Sequence, residues 1–225
     1  MTVTVNVVYF PGTNCQRETL TAFERVGASP RLVFASDLLA GDARLDDADL
    51  LCIPGGFTFG DHLGAGGVAS LLLRTELSDQ LKACATRPVI AICNGFQIAV
   101  RSGLFGDDVA LAVNASGTFH HRMDQPHLVA DDPSPWFEGL RGEMLRFPCA
   151  HGEGRFVHRS DLTRAPWRPA ITYPVGENPD GSTDDIGGIV SRDGLVFGLM
   201  NHPERAADGP GNLDLFRNGV RAAKS

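Results

Sequence analysis

Residues Pro88-Val89-Ile90-Ala91-Ile92-Cys93 form an unbroken apolar run that stops at Asn94-Gly95-Phe96-Gln97. A short run without alternation predicts a strand covered on both faces, the habit of central strands in parallel sheets. The pattern after it predicts a helix from Asn94 to about Ser102, closed at Gly103. Parallel strands require crossover connections, so this one segment points to a sheet flanked by helices.

The remainder of the first half repeats that theme. Val3 to Phe10 reads as a strand broken by Pro11-Gly12, and Thr19 to Val26 as a helix closed by Gly27. Arg31 to Ala35 and Asp49 to Ile53 are two further strands, the second ending at Pro54-Gly55-Gly56. One long helix is expected from about Val68 to Cys84, with Gly64, Gly66 and Gly67 weakening its first turn. After Val109 the texture shifts to shorter strands separated by turns such as Pro179-Asp180-Gly181 and Asp193-Gly194. Leu195 to Met200 returns to core-strand character, and Asn212 to Ala223 is expected as a final helix. No linker, repeat or low-complexity stretch divides the chain. The expectation is one α/β domain over residues 1–225, with a mostly parallel central sheet, flanking helices, a nucleophile elbow and a smaller antiparallel strand region in the second half.

Charge and cysteine usage narrow the function classes. With 27 acidic against 20 basic residues the net charge is -7, and no basic stripe offers a nucleic-acid surface. No apolar run approaches the roughly 20 residues that a membrane span needs. The start Met1-Thr2-Val3-Thr4-Val5-Asn6 lacks the features of a secretory signal. Five scattered cysteines, an odd number, argue against a disulfide framework and for a reducing, cytoplasmic setting.

A thiol at the end of a buried parallel strand sits in the crevice where such sheets bind ligands. The helix that follows Cys93 aims its N-terminal N–H groups and dipole at the sulfur, and Gly95 is expected to permit a sharp turn. Most free cysteines are simply core residues, so the elbow alone leaves both readings of Cys93 open. A thiolate nucleophile needs a base, and the base an orienting carboxylate. Asn201-His202-Pro203-Glu204-Arg205 supplies both directly after another core strand. Taken singly, that segment is a surface loop with a Glu204–Arg205 ion pair; combined with Cys93 it favours catalysis. Acyl transfer also needs donors for a developing oxyanion. The Pro54-Gly55-Gly56-Phe57 turn and the N–H of Asn94 are placed to provide them, although a plain tight turn explains the glycines equally well.

Other candidates are weaker. Cys15 also lies between a strand and a helix but lacks the buried run, and reads as a structural or loop thiol. Cys52 and Cys84 read as core residues. His120, His121, His127 and His151 match no zinc spacing and have no paired cysteines, so no metal is expected.

The segments Pro54-Gly55-Gly56, Ala91-Ile92-Cys93-Asn94-Gly95-Phe96-Gln97 and His202-Pro203-Glu204 resemble the three signatures of class I glutamine amidotransferases. Phe10-Pro11-Gly12-Thr13-Asn14-Cys15, Gly55 through Asp61, Ala150-His151-Gly152-Glu153-Gly154-Arg155 and Asn178-Pro179-Asp180-Gly181-Ser182 are similar to the small glutaminase subunits of phosphoribosylformylglycinamidine synthase. The resemblance implies hydrolysis of glutamine to glutamate and ammonia, with Cys93 as nucleophile, His202 as base and acid, and Glu204 as its orienting carboxylate. It implies an oxyanion hole from Gly56 and Asn94, and glutamine contacts from Gln97, His151, Gly152 and Glu153. It further implies a large partner synthase, joined by a small accessory subunit, that uses ammonia to convert formylglycinamide ribonucleotide to its amidine in purine synthesis. No Gly-x-x-x-x-Gly-Lys loop is present, so ATP and Mg are expected on the partner and no cofactor on this chain. Two positions depart from the family pattern: Asn201 where proline is expected, and Asp180 where asparagine is expected. Rival expectations are another Cys-His hydrolase of peptidase or deglycase type, a glutaminase serving a different synthase, and a catalytically silent regulatory subunit.

Overall fold

The structure, a computed structural model, describes residues 1–159, 161–209 and 211–224. A nine-stranded sheet runs through the molecule in the order β2-β1-β3-β4-β11-β10-β9-β6-β7. Its first five strands are parallel: β1 (Thr4–Tyr9), β2 (Ser29–Phe34), β3 (Leu50–Ile53), β4 (Val89–Ile92) and β11 (Val196–Leu199). Every residue of β3, β4 and β11 is buried, as the unbroken apolar runs require. The antiparallel strands β10 (Ile186–Ser191), β9 (Trp167–Thr172), β6 (His120–Val129) and β7 (Met144–His151) extend the same sheet. β5 (Val109–Ala112) and β8 (Arg155–His158) form a separate antiparallel pair.

Helices α1 (Gln16–Arg25), α2 (Ala35–Ala40), α3 (Gly67–Thr75), α4 (Ser78–Cys84), α5 (Asn94–Arg101) and α6 (Asn212–Ala222) complete the layers. The single helix expected from Val68 to Cys84 is two. Leu77 leaves the helical region (φ -121°, ψ 18°), and the bend directs Leu73, Leu77 and Leu81 all into the core. Burial of all three leucines across a break is a tertiary demand that periodicity along one straight axis does not register. Helix α2 was also not expected: Ala35 opens it rather than closing β2. Among the described residues no helix is long and apolar enough to cross a membrane.

Four neighbouring parallel strands deliver the functional segments to one edge. After β1 comes Asn14-Cys15, after β3 Gly55-Gly56, after β4 Cys93, and after β11 Asn201-His202. This is the carboxyl edge at which open parallel sheets place their sites.

Candidate active site

Cys93 joins β4 to α5 with φ 52° and ψ -112°, a conformation that a non-glycine residue adopts at a cost of about 1–3 kcal/mol. The strained turn therefore lies at the cysteine itself. Gly95, expected to supply it, has ordinary helical geometry and answers a different need: a Cβ there would fall 1.8 Å from the carbonyl oxygen of Ile53. Its missing side chain lets α5 settle directly on the end of β3. The Cys93 carbonyl accepts from the Gln97 N–H at 3.0 Å, and its Sγ lies 3.8 Å from the Ala150 carbonyl oxygen.

His202 and Glu204 meet through Nδ1 and Oε1 at 2.6 Å, both fully enclosed. Pro203 opens a short 3-10 turn that carries the carboxylate back toward the ring. Burial opposes a charged imidazole, but the neighbouring Glu204 carboxylate and Cys93 outweigh it and hold the His202 basicity well above its ordinary range. Gly55 lies wedged among these groups. A Cβ on it would come within 2.8 Å of His202 Cε1, 3.1 Å of Cys15 Sγ and 3.3 Å of Cys93 Cβ. Cys93 from the end of β4 and the His202–Glu204 pair from the end of β11 are thus gathered around Gly55 from the end of β3.

Gly56 faces the β1–α1 loop through a bridge with Thr13, and a Cβ there would meet the Gly12 carbonyl oxygen at 2.7 Å. In the same turn the Phe57 N–H is committed to the Gly12 oxygen at 2.9 Å. The Asn94 side chain braces the opposite side, accepting from the Thr58 N–H at 3.1 Å and donating to Gln97 Oε1 at 2.8 Å.

A pocket of about 120 Å³ opens beside Cys93, lined by Gly56, Asp61, Gln97, Phe119, Gly152 and Glu153 among others. A second cleft, reaching Asn14, His202 and Arg205, meets it at Cys93. Gln97 turns its amide to the Glu153 carbonyl oxygen at 2.8 Å, so it holds the pocket wall in place. Glu153 accepts from the Ala65 N–H at 3.1 Å and lies 3.9 Å from Arg101. His151 lines the pocket, yet its ring is buried against Cys149 Sγ at 3.1 Å and Asn114 Oδ1 at 3.3 Å. Burial lowers the basicity of that ring to about 3, which keeps it neutral.

Several site residues were not anticipated. Cys15, read as a structural or loop thiol, is a buried thiol of the β1–α1 loop that reaches the site: it lies 3.9 Å from His202 Nδ1 and accepts from Arg205 Nη2 at 3.0 Å. Its Sγ, His202 and Glu204 bring donor atoms within 4.8 Å of one another. Burial pushes the Cys15 thiol up, against the opposing hydrogen bond from His202. Arg205, which pairs with Glu204 only in the rival surface-loop reading, reaches Cys15. Asp61 joins Asn94 at 3.3 Å, and burial beside Glu153 raises its carboxyl above the usual range. Phe57 and Phe119 remain about half exposed at the mouth, with ring centroids 6.4 Å apart. The glycine-rich stretch from Gly55 to Asp61 was the available signal for Phe57 and Asp61; Phe119 had none.

Comparison with known proteins places this geometry. The profile of the CobB/CobQ-like glutamine amidotransferase domain matches residues 2–212. Phosphoribosylformylglycinamidine synthase subunit PurQ of Rubrobacter xylanophilus is 37% identical over 228 residues, covering 98% of this chain and 99% of that protein. A solved structure described as PurLQS from Thermotoga maritima contains a chain with a TM-score of 0.84 and 32% identity, covering 98% of this chain and 99% of that one. A glutamine amidotransferase of Thermotoga maritima shares the fold at a TM-score of 0.57 and 16% identity, covering 91% of this chain and 77% of that one. Across nearly its whole length, the chain belongs to the CobB/CobQ-like glutamine amidotransferase family and, within it, to the PurQ subunits of phosphoribosylformylglycinamidine synthase.

Proposed function

We propose that this chain hydrolyses glutamine to glutamate and ammonia, and that the ammonia serves an ATP-dependent partner converting formylglycinamide ribonucleotide to formylglycinamidine ribonucleotide. The observation that carries the hydrolytic reading is the 2.6 Å His202–Glu204 bond beside a cysteine held at a strained strand–helix turn. An imidazole whose basicity is raised well above normal stays protonated near neutrality, and an imidazolium is the partner that a sulfur anion needs. Cys93 Sγ attacks the side-chain amide carbon of glutamine. The carbonyl electrons move to oxygen, which the N–H groups of Gly56 and Asn94 receive. Collapse expels the amine as His202 gives it a proton, leaving a thioester. Water then attacks with His202 as base, releasing glutamate and restoring the thiol.

Glutamine carries an ammonium group at the end opposite its amide. The pocket beside Cys93 holds two carboxyl groups, Asp61 and Glu153, which suit that group. His151 and Gly152 contribute a further part of the pocket wall. The partner is a large ATP-binding synthase, with a small accessory subunit; ATP and Mg belong to that partner, and the setting is cytoplasmic. The naming of related proteins as synthase subunits supports this assignment.

The test combines the purified chain with the synthase subunits from the same source. Glutamine-driven formation of the amidine, with glutamate released in equal amount, is expected. Hydrolysis of peptides or glycated amines at comparable efficiency, without glutamate release, would refute it. The isolated chain should turn glutamine over slowly, since coupling prevents loss of ammonia.

A further inference from the structure

Asn201 and Asp180, the two positions that depart from the family pattern, touch the same atom. The Tyr173 hydroxyl lies 3.1 Å from Asp180 Oδ2 and 3.3 Å from Asn201 Oδ1. Asn201 Nδ2 continues the chain to His127 Nε2 at 2.6 Å. All four side chains are buried. Tyr173 follows β9, Asp180 belongs to the loop before β10, His127 is in β6, and Asn201 immediately precedes His202. Gly187 gives the tyrosine its place: a Cβ there would lie 3.0 Å from the ring.

Counting protons orders the chain. Tyr173 has one hydroxyl proton and two acceptors within reach, and a buried acceptor left bare is costly. Asp180 Oδ1 already accepts from Ser182 N–H at 3.0 Å and Ser182 O–H at 2.6 Å, so Oδ2 is the oxygen facing Tyr173. If Oδ2 carries a proton, it donates to the tyrosine oxygen. Tyr173 then donates to Asn201 Oδ1, and Asn201 donates to His127 Nε2, with each of these contacts satisfied in one direction. The ionisable neighbours of Asp180 fit a neutral acid. Tyr173 is held protonated by burial, and His151, 3.7 Å away, is held neutral by burial. Cys149 is kept a thiol by burial, and among the described residues no lysine or arginine forms an ion pair with Asp180. His127 is likewise kept neutral by burial, its basicity lowered to about 3, and in the tautomer with the ring proton on Nδ1 its Nε2 accepts from Asn201.

We propose that Asp180, Tyr173, Asn201 and His127 form a directional hydrogen-bond chain, headed by a neutral Asp180, that positions His202 by anchoring the residue before it. A proline at 201 would stiffen the backbone locally; this chain instead ties the loop to the antiparallel half of the sheet. The backbone supports the same anchorage, with Met200 N–H on the Gly187 oxygen at 3.0 Å and His202 N–H on the Pro148 oxygen at 2.9 Å. Asn201, Tyr173 and Asp180 are positioning residues, and the inference rests on the glutaminase reading above.

The experiment measures glutamine hydrolysis by the assembled synthase for Tyr173→Phe, Asn201→Ala, the double variant and Asp180→Asn. Tyr173→Phe removes one oxygen and keeps the ring beside His127, so it tests the chain even where Asn201→Ala does not fold. Each of the first two should lower kcat roughly tenfold, the kinetic equivalent of one buried hydrogen bond, with KM within about twofold. The double variant should fall no further than the worse single variant, because both break one chain. Asp180→Asn should retain kcat and the pH profile, since an amide N–H replaces the acid O–H. Independent losses that multiply, an effect confined to KM, an unchanged kcat in Tyr173→Phe, or a shifted pH profile in Asp180→Asn would each overturn the proposal. An inactive wild-type complex would instead overturn the glutaminase reading on which it stands.

Discussion

Gly95 brings its Cα so near the end of β3 that a Cβ would fall 1.8 Å from the carbonyl oxygen of Ile53 and 3.0 Å from that of Pro54. Backbone, not a movable side chain, occupies that space. Alanine is normally the better helix residue by about 1 kcal/mol. Here the clash should reverse the sign. Gly95→Ala is expected to cost about 3 kcal/mol or more through forced separation of α5 from β3. Thermal unfolding should show the loss, and residual folded protein should be inactive because Cys93 moves with the helix. A variant as stable and active as the wild type would mean that helix and strand can part freely.

Cys93 and Cys15 flank the same glycine, so the two thiols can be separated by chemistry. Cys93→Ala is expected to abolish glutamine-dependent synthesis by the complex while leaving ammonia-dependent synthesis intact. Cys15→Ala should retain glutamine-dependent synthesis within roughly tenfold, the effect of losing one packed hydrogen-bond partner near His202. A glutamine-analogue electrophile should label Cys93 alone, read by peptide mass. Labelling at Cys15, or glutamine-driven synthesis by Cys93→Ala, would exchange their roles.

Removing the carboxylate charge beside His202 should reveal how much of its basicity comes from Glu204. Glu204→Gln leaves burial acting against the charged ring with less opposition, so the His202 basicity falls. The pH at which the imidazolium form is lost should therefore move downward. Glutaminase kcat is expected to drop by roughly 10²-fold or more, as for other orienting carboxylates. The pH profile of kcat/KM measures both effects; an unmoved profile would show that Glu204 is only a packing residue.

His127 and His151 give the fold an acid weakness. Burial holds both rings neutral, each with its basicity lowered to about 3. In the unfolded chain they bind protons below about pH 6.5, so unfolding takes up protons there and stability falls as pH drops toward 3. Between pH 6.5 and 5 the loss should be about 2 kcal/mol for each ring. Urea denaturation at the two pH values measures it. His127→Gln, which keeps a hydrogen-bonding partner for Asn201 and removes the titration, should lessen the difference by about half. The same acid sensitivity in that variant would show that the ring protonates without unfolding.

Elements whose signals are local are legible in the chain alone. Unbroken apolar runs marked β3, β4 and β11 as doubly covered strands, and the turn residues after them marked the sheet edge where Cys93, His202 and Glu204 stand. Residue type and spacing were enough there, because a nucleophile, a base and its carboxylate are identifiable one by one. How those pieces fit depends on contacts between distant parts of the chain. The strain at Cys93 rather than Gly95, the division of the segment from Gly67 to Cys84 into two helices, and the inward turn of the His151 ring all answer to neighbours distant in sequence. So does the place of Cys15 beside His202, across 187 positions of chain. The meeting of Asp180 and Asn201 at one tyrosine oxygen has the same origin. Close packing at the end of a parallel sheet sets distances between chain-distant atoms, and no pattern along one strand or helix carries that information.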